Sequence, residues 1–272
     1  MRPAAARRHN GRVDATDLLA HGAAPLLLLA AVLFVAGCLN GATGIGFANL
    51  SSVALALLLD ARTAVILLAG VTPLVLLMPV LRYRAEAPRA LRLLPMFAAM
   101  PLGVLLGSYL LVALPVAVIA LGLGLATIVS ALAAMRRGKL TLPPRWERVC
   151  SPLIGVVAGT ANSAVGVSGP ILAMYLLALD LEKALFAFIA AAMFTTMGVL
   201  RLLTLVAFGE LTATTVALSL ALCVPAALGI RAGFWLQPRI DQRAFNRLVL
   251  AILVLTGAQL IWRGLTGLHV FG

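Results

Sequence analysis

The sequence predicts an all-α polytopic membrane protein with about eight transmembrane helices. We expect two homologous four-helix halves, each opening with a broken or re-entrant Gly-rich segment. Composition and an internal duplication support this class. Of the 272 residues, 62% are hydrophobic and only 11% are charged, and the mean hydropathy is +1.09. A soluble domain of this length cannot bury so much apolar surface in one core, so lipid must cover the remainder.

Uncharged stretches of the chain are long enough to cross a membrane. A bilayer core of about 30 Å needs roughly 20 apolar residues in a helix. Residues 22–59 and 93–135 carry no charge and are each well beyond one crossing, and glycine-rich residues 40–46 interrupt the first of them. Further predominantly apolar stretches are residues 63–81, 150–179, 184–208, 211–236 and 248–262.

The internal duplication divides these stretches into two halves. Residues 36–46 align without gaps with residues 158–168, which makes Asn40 and Asn162 equivalent. Later matches keep nearly the same spacing: Asp60 with Asp180, residues 78–82 with 197–201, and Gly103 and Gly107 with Gly229 and Gly233. We therefore predict a cytoplasmic tail (1–21), a first transmembrane repeat (22–135), a basic cytoplasmic linker (136–149), a second transmembrane repeat (150–264) and a short C-terminal tail (265–272).

The orientation of the loops depends on the path of the Gly-rich segments. Eight simple crossings with the amino terminus inside place residues 82–92 and 136–148 in the cytoplasm, where Arg and Lys are favoured. That topology places Arg239, Arg243 and Arg247 outside, against the same rule. A re-entrant path over residues 150–179 removes the conflict and inverts the later spans of the second half. Eight crossings are our working topology, and the re-entrant path is the alternative.

The polar residues argue against several functional classes. All three histidines lie in the tails, and the nine carboxylates lie in tails, loops or helix ends. No HExxH, Gly-x-Ser-x-Gly or P-loop pattern occurs, so we expect no enzyme and no cofactor or metal. We attribute the formal charge of +12 to basic cytoplasmic loops, and we expect no nucleic-acid partner. Cys38, Cys150 and Cys223 are far apart and odd in number, so the sequence predicts neither a disulfide framework nor a zinc site. We interpret all three as small apolar residues.

The paired Asn–glycine segments are the predicted substrate site. Glycines and Pro170 make poor helix interiors, so each segment is expected to break and free backbone N–H groups. A half-helix that starts after a break points its positive end at the cavity, which suits an anion. The alternative is that the small residues only let helices pack closely. The predicted site residues are Asn40, Gly41, Thr43, Gly44, Gly46, Asn162, Ser163, Gly166, Ser168, Gly169, Arg201 and Arg231.

Two arginines are embedded in otherwise apolar spans. An isolated cation at mid-membrane costs about 2.5–3.5 kcal/mol on insertion scales, and less when the side chain snorkels to the interface. Arg201 and Arg231 either neutralise an anionic substrate or snorkel. For Arg82, at the end of a span, the favoured interpretation is a snorkelling or phosphate-contacting side chain. The Gly-x-x-x-Gly pairs 103/107 and 229/233 are predicted to pack helices closely.

At these residues the sequence resembles the sulfite exporter TauE/SafE family of membrane anion transporters. The resemblance covers roughly residues 25–264, with Gly-rich segments at 41–46 and 163–169 and a basic central linker. It implies a secondary transporter that moves a sulfur oxyanion or organosulfonate across the cytoplasmic inner membrane. The expected partners are a small anionic solute and membrane lipids, and a homo-oligomer is left open. The alternative function is a non-transporting membrane-embedded assembly or accessory subunit.

Overall fold

The computed structural model describes residues 23–44, 46–135 and 144–236 and, near the C terminus, residues 254, 258, 261, 262 and 264–267. These residues form helices and short connections, with no strand among them. The longer helices are α1 (Ala23–Thr43), α2 (Phe47–Leu58), α3 (Ala61–Arg82), α4 (Leu94–Ala113), α5 (Val116–Met135), α6 (Pro144–Val165), α7 (Gly169–Ala178), α8 (Lys183–Ala207) and α9 (Ala213–Leu236). Three single-turn helices, Arg84–Glu86, Ala87–Ala90 and Leu91–Leu93, connect α3 to α4. The predicted tail 1–21 and linker residues 136–143 lie outside the described residues.

Five stretches in the described part of the chain are long and apolar enough to cross a membrane: Ala24–Ala42, Ala61–Arg82, Arg84–Ala113, Ala184–Ala207 and Ala213–Leu236. Their outward faces are apolar too, since Leu102, Leu203 and Leu228 are each more than half exposed. Helices satisfy their own backbone polar groups, so lipid can cover such faces. The protein is therefore a multi-pass membrane protein, and the predicted all-helical class is confirmed. This count covers the described residues alone, so it does not confirm the eight-helix architecture expected from the sequence.

Both Gly-rich segments break the helix where the sequence predicts. α1 has 21 residues and extends about 31 Å, whereas α2 has 12 residues and extends about 18 Å. The second segment repeats this arrangement, with 22 residues in α6 and 10 in α7. Gly44, Gly46 and Gly166 have φ angles of +80°, +125° and +76°. Such angles lie in the left-handed region, which glycine adopts without steric cost.

Ion pairs show that the second Gly-rich segment enters and leaves at the same end of the bundle. Arg92, just before α4, lies 3.6 Å from Glu147 at the start of α6. Arg89 in the same connection forms two hydrogen bonds of 2.9 Å with Glu182, which follows α7. We call this end, which carries residues 82–92, the arginine end. Because α6 starts there and the chain returns there after α7, these contacts contradict eight simple crossings and agree with the re-entrant alternative.

A hydrogen bond inside the second segment supports the same path. Ser151, near the start of α6, lies 2.6 Å from the hydroxyl of Tyr175, near the end of α7. The two helices therefore fold back on each other as a hairpin whose tip is the break at Gly166.

Helix α9 identifies the opposite end of the bundle. It begins just after Glu210, whose carboxylate lies 3.0 Å from the guanidinium of Arg62 at the start of α3. It ends where the guanidinium of Arg82 lies 4.5 Å from the ring centroid of Phe234. α3 and α9 thus both run from the end that carries residues 60–62, called the Asp60 end, to the arginine end.

The first Gly-rich segment enters and returns at the Asp60 end. A Cβ atom added to Gly229 of α9 would lie 2.9 Å from the carbonyl carbon of Phe34, and one added to Gly233 would lie 2.9 Å from that of Cys38. The residue numbers of these contacts increase in the same direction along both helices, so α1 runs parallel to α9. α1 therefore starts at the Asp60 end. After α2 the chain is back at Asp60. The two hairpins therefore enter the bundle from opposite ends.

Equivalent glycines pack the two halves together in equivalent ways. Gly233 faces the backbone of Cys38, and its counterpart Gly107 faces the backbone of Thr160. Cys38 and Thr160 are themselves equivalent in the alignment of residues 36–46 with 158–168. Each half thus places its first helix against the Gly-x-x-x-Gly helix of the other half, α1 on α9 and α6 on α4. The predicted close packing at these glycines is confirmed.

Candidate functional site

Arg201 is a buried cation beside the second break. It lies on α8 and is only 2% exposed. Its Nη1 donates a hydrogen bond of 2.9 Å to the backbone oxygen of Asn162, and its Nε is buried without a partner. Within the described parts of the chain it forms no ion pair, since those found lie at the two ends of the bundle. A guanidinium in this position keeps a donor available for an anion.

Asn162 holds the second break in shape. Its carbonyl also accepts the N–H of Gly166 at 2.9 Å, so it closes the last turn of α6. Its side-chain Nδ2 donates to Ser168 Oγ at 3.2 Å across the break, and both residues are buried. The amide supplies the donor of this bond without burying a charge. The structure therefore brings together four predicted residues: Asn162, Gly166, Ser168 and Arg201.

Two further predicted residues line the same hairpin. Ser163 is fully buried, and its hydroxyl has no partner. Its Cβ would also lie 2.9 Å from a Cβ added to Gly107, so it packs against α4. Gly169 is buried and begins α7, whose first helical bond runs from Leu172 N–H to the backbone oxygen of Ser168 at 3.1 Å.

The first break repeats the backbone arrangement of the second. Asn40 is 4% exposed, and its carbonyl accepts the N–H of Gly44 at 2.7 Å, as Asn162 does for Gly166. Gly46 occupies the N-cap position of α2 and, having no side chain, makes no cap bond to the first amides of that helix. An N-cap without a side-chain acceptor is what the predicted anion site requires. The side chain of Thr43 lies outside the described residues.

Gly41 and Arg231 lie away from the Arg201 cluster. A Cβ added to Gly41 would lie 3.0 Å from the Cα atom of Gly233, so helix packing accounts for this glycine. Arg231 is exposed near the arginine end of α9, where it lines a cavity with Arg82. Arg201 lies towards the other end, because α8 and α9 run in opposite directions. Arg201 and Arg231 therefore lie at different sites in the bundle.

Sequence reasoning missed three polar residues inside the bundle. Ser52 of α2 donates to the backbone oxygen of Gly166 at 3.1 Å and ties the first hairpin to the tip of the second. Ser52 lies six residues beyond Gly46, so the two hairpins overlap by about 9 Å along α2. The hydroxyls of Thr72 and Thr195 are buried without a partner. Their only sequence signal was a polar residue inside an apolar span.

Broken hairpins that carry buried polar groups, held in a bundle with an apolar outer surface, are typical of membrane transporters. The family model of the sulfite exporter TauE/SafE matches residues 29–260 of the chain. The protein belongs to the TauE/SafE family, a family of membrane transporters, and the resemblance seen in the sequence is confirmed. Comparison with curated proteins and with solved structures gives no significant match.

Proposed function

We propose that this protein is a secondary transporter that moves a small anion, a sulfur oxyanion or organosulfonate, across the cytoplasmic membrane. The observation that carries the proposal is Arg201, a buried cation with an unpaired Nε and no carboxylate bonded to it among the described residues. A charge buried without a counter-ion is costly, so its presence favours a role in which an anion supplies the missing charge. Asn162 and Ser168 add neutral hydrogen-bonding groups beside it.

The two hairpins support transport in preference to a static membrane role. They enter from opposite ends and carry equivalent breaks, as in transporters built from inverted repeats. In such proteins the solute binds where the broken helices meet, and the contact between Ser52 and Gly166 joins the two hairpins there. We infer that residues 22–135 and 150–264 form the two inverted repeats. A non-transporting accessory subunit would need neither the buried cation nor two matched breaks.

The charge distribution sets the orientation within this proposal. The arginine end carries Arg84, Arg89, Arg92 and Arg148, and cytoplasmic loops are enriched in such residues. We therefore assign the arginine end to the cytoplasm. In this orientation α1 begins on the outer side, whereas the sequence predicts a cytoplasmic tail over residues 1–21; the side of that tail stays a prediction.

The positions of the carboxylates indicate how transport is driven. The carboxylates of the described residues lie at the ends of the bundle or in connections, as Asp60, Glu147, Glu182 and Glu210 do. A proton-coupled carrier needs a titratable group along the solute path. Movement down the substrate gradient is therefore the proposed mode, with little pH dependence beyond protonation of the substrate.

Flux into proteoliposomes tests the proposal with Arg201→Gln and Arg201→Lys, using sulfite, thiosulfate, sulfonates and carboxylates as substrates. Loss of a charge-assisted hydrogen bond to the anion should lower flux by about 10- to 100-fold in Arg201→Gln. Lysine keeps the charge but lacks the planar fork, so Arg201→Lys should retain part of the flux. Arg84→Gln removes an exposed arginine and serves as the matched control.

Thermal stability separates loss of the site from loss of the fold. Arg201→Gln removes a buried unpaired charge, so its melting temperature should equal or exceed that of the wild type. Undiminished flux in this variant would show that the site is misplaced. A wild-type protein that inserts normally but moves none of the anions would instead favour the accessory-subunit alternative.

A further inference from the structure

A cavity at the arginine end is lined by two arginines from different helices. Its volume is about 440 Å³, and its walls are Met78 and Arg82 of α3 with Arg231, Phe234 and Trp235 of α9. Small-molecule sites occupy roughly 300–1,000 Å³, so the cavity is large enough for a hydrated oxyanion. In the described part of the chain neither arginine forms an ion pair with a carboxylate. Two positive charges thus face one space, and no carboxylate among the described residues neutralises them.

The internal duplication relates this cavity to the Arg201 site. Residues 78–82 align with residues 197–201, which makes Met78 equivalent to Met197 and Arg82 equivalent to Arg201. Met197 Sδ lies 4.0 Å from Ser168 Oγ at the second break, next to the carbonyl that Arg201 contacts. The first half therefore presents its own Met–Arg pair, but to the cavity at the arginine end.

The cavity also adjoins the helix that leads to the first break. A Cβ added to Gly41 of α1 would lie 3.0 Å from the backbone nitrogen of Phe234, a residue of the cavity wall. The guanidinium of Arg82 lies 4.5 Å from the ring centroid of that phenylalanine. Stacking on an aromatic face restricts the guanidinium while leaving its N–H groups free to donate. Arg82 is thus held at the cavity wall while its side chain remains exposed.

We propose that Arg82 and Arg231 form a second oxyanion-binding site, on the cytoplasmic side of the protein. This inference deepens the proposed function, on which its role in transport rests: the site would receive the transported anion before or after it reaches Arg201. Two guanidinium forks bind the oxygens of a sulfite, sulfate or phosphate group in parallel pairs of hydrogen bonds. Because both side chains are exposed, we expect the site to bind more weakly than a buried one.

The phosphate of an anionic lipid presents the same oxygens as a free anion. Arginines and tryptophan near a membrane interface are also typical of lipid contacts. The experiment must therefore offer the two sources separately.

Trp235 provides a local probe for binding. The chain has three tryptophans, so Trp146→Phe and Trp262→Phe leave Trp235 as the only one. In phosphatidylcholine nanodiscs, sulfite, sulfate and phosphate at constant ionic strength should each give a saturable change in its fluorescence, whereas gluconate should not. Arg82→Gln and Arg231→Gln should each weaken binding about tenfold, as expected for losing one charge-assisted hydrogen bond. Arg84→Gln should leave the binding curve unchanged.

Flux measured with the anion on the cytoplasmic side supplies the second readout. Arg82→Gln and Arg231→Gln should raise KM about tenfold and leave kcat within about twofold, because they act before the anion reaches Arg201. Arg201→Gln should lower flux yet keep the fluorescence response of Trp235.

Three results decide the proposal. The absence of a saturable response to free oxyanions overturns it. The proposal is also overturned if the fluorescence of Trp235 changes when phosphatidylglycerol replaces phosphatidylcholine but not when free oxyanions are added, because the site then holds a lipid headgroup. A normal, arginine-dependent response in a wild-type protein that moves no anion supports the oxyanion site and overturns the proposed transport function instead.

Discussion

The hairpin path of residues 150–179 can be tested by cross-linking Arg89→Cys to Glu182→Cys. The native side chains form two hydrogen bonds of 2.9 Å at the arginine end. Eight simple crossings would separate the same two positions by the whole hydrocarbon core, roughly 30 Å. The two topologies therefore differ by far more than the reach of a short cross-linker.

The double-cysteine variant should fold like the wild type. Both side chains are largely exposed, and an exposed ion pair contributes little to stability. The native cysteines Cys38, Cys150 and Cys223 are free and would be replaced by alanine. In membranes, a bismaleimide with a reach of about 10 Å, a third of the roughly 30 Å hydrocarbon core, should cross-link the pair in high yield. A protease site engineered between the two cysteines reveals the cross-link as fragments that stay together on a gel.

Matched pairs establish the range of the assay. Arg92→Cys with Glu147→Cys should cross-link in either topology, because those native side chains lie 3.6 Å apart and both precede the second Gly-rich segment. Arg62→Cys with Glu182→Cys should not, because the two positions lie at opposite ends. If the pair at positions 89 and 182 stays unlinked while the pair at positions 92 and 147 reacts, the re-entrant path is refuted.

Three smaller predictions concern packing, capping and pH. Gly229→Ala should destabilise the protein by about 1–3 kcal/mol, because its Cβ would lie 2.9 Å from the carbonyl carbon of Phe34, and thermal unfolding in detergent measures this; an unchanged melting temperature contradicts the packing. Asp60→Ala should cost about 0.5–2 kcal/mol, since the Asp60 carboxylate caps α3 through two bonds of 2.9 Å, whereas Asp60→Asn should cost less. Equal losses would disprove the cap. The hydrogen bond from Arg89 lowers the pKa of Glu182, so the wild type should have a small stability advantage over Glu182→Gln, small because the pair is exposed. That advantage should be full above the ordinary carboxyl pKa of about 4.3 and disappear as pH falls through the lower pKa of the folded state. A melting-temperature difference that persists below both pKa values argues against the pair.

Several features of the site were predictable because they depend on local backbone chemistry. The breaks at Gly44, Gly46 and Gly166 lie where the sequence places them, since clustered glycines favour left-handed φ angles and weaken a helix. Close packing at Gly229 and Gly233 was also predictable, because small residues one turn apart permit two backbones to approach.

Other features could not be read from residue types. Arg201 and Arg231 are both arginines seven or eight residues from a polar flank of an apolar span, yet one is buried and the other is exposed. Their difference depends on which helices surround them, so it is fixed by contacts between residues distant in the chain. Ser52 was missed for the same reason, because its partner Gly166 lies in the other half.

The sequence by itself determined that this protein resides in a membrane, where its helices break and that its two halves are related, because composition, glycine content and repetition are local properties of the chain. Only the tertiary structure decided whether the chain crosses or returns at each break. A glycine at positive φ permits either direction, and the choice rests on long-range contacts such as that of Arg89 with Glu182. The same contacts placed Arg201 beside Asn162 and left Arg82 and Arg231 facing a separate cavity.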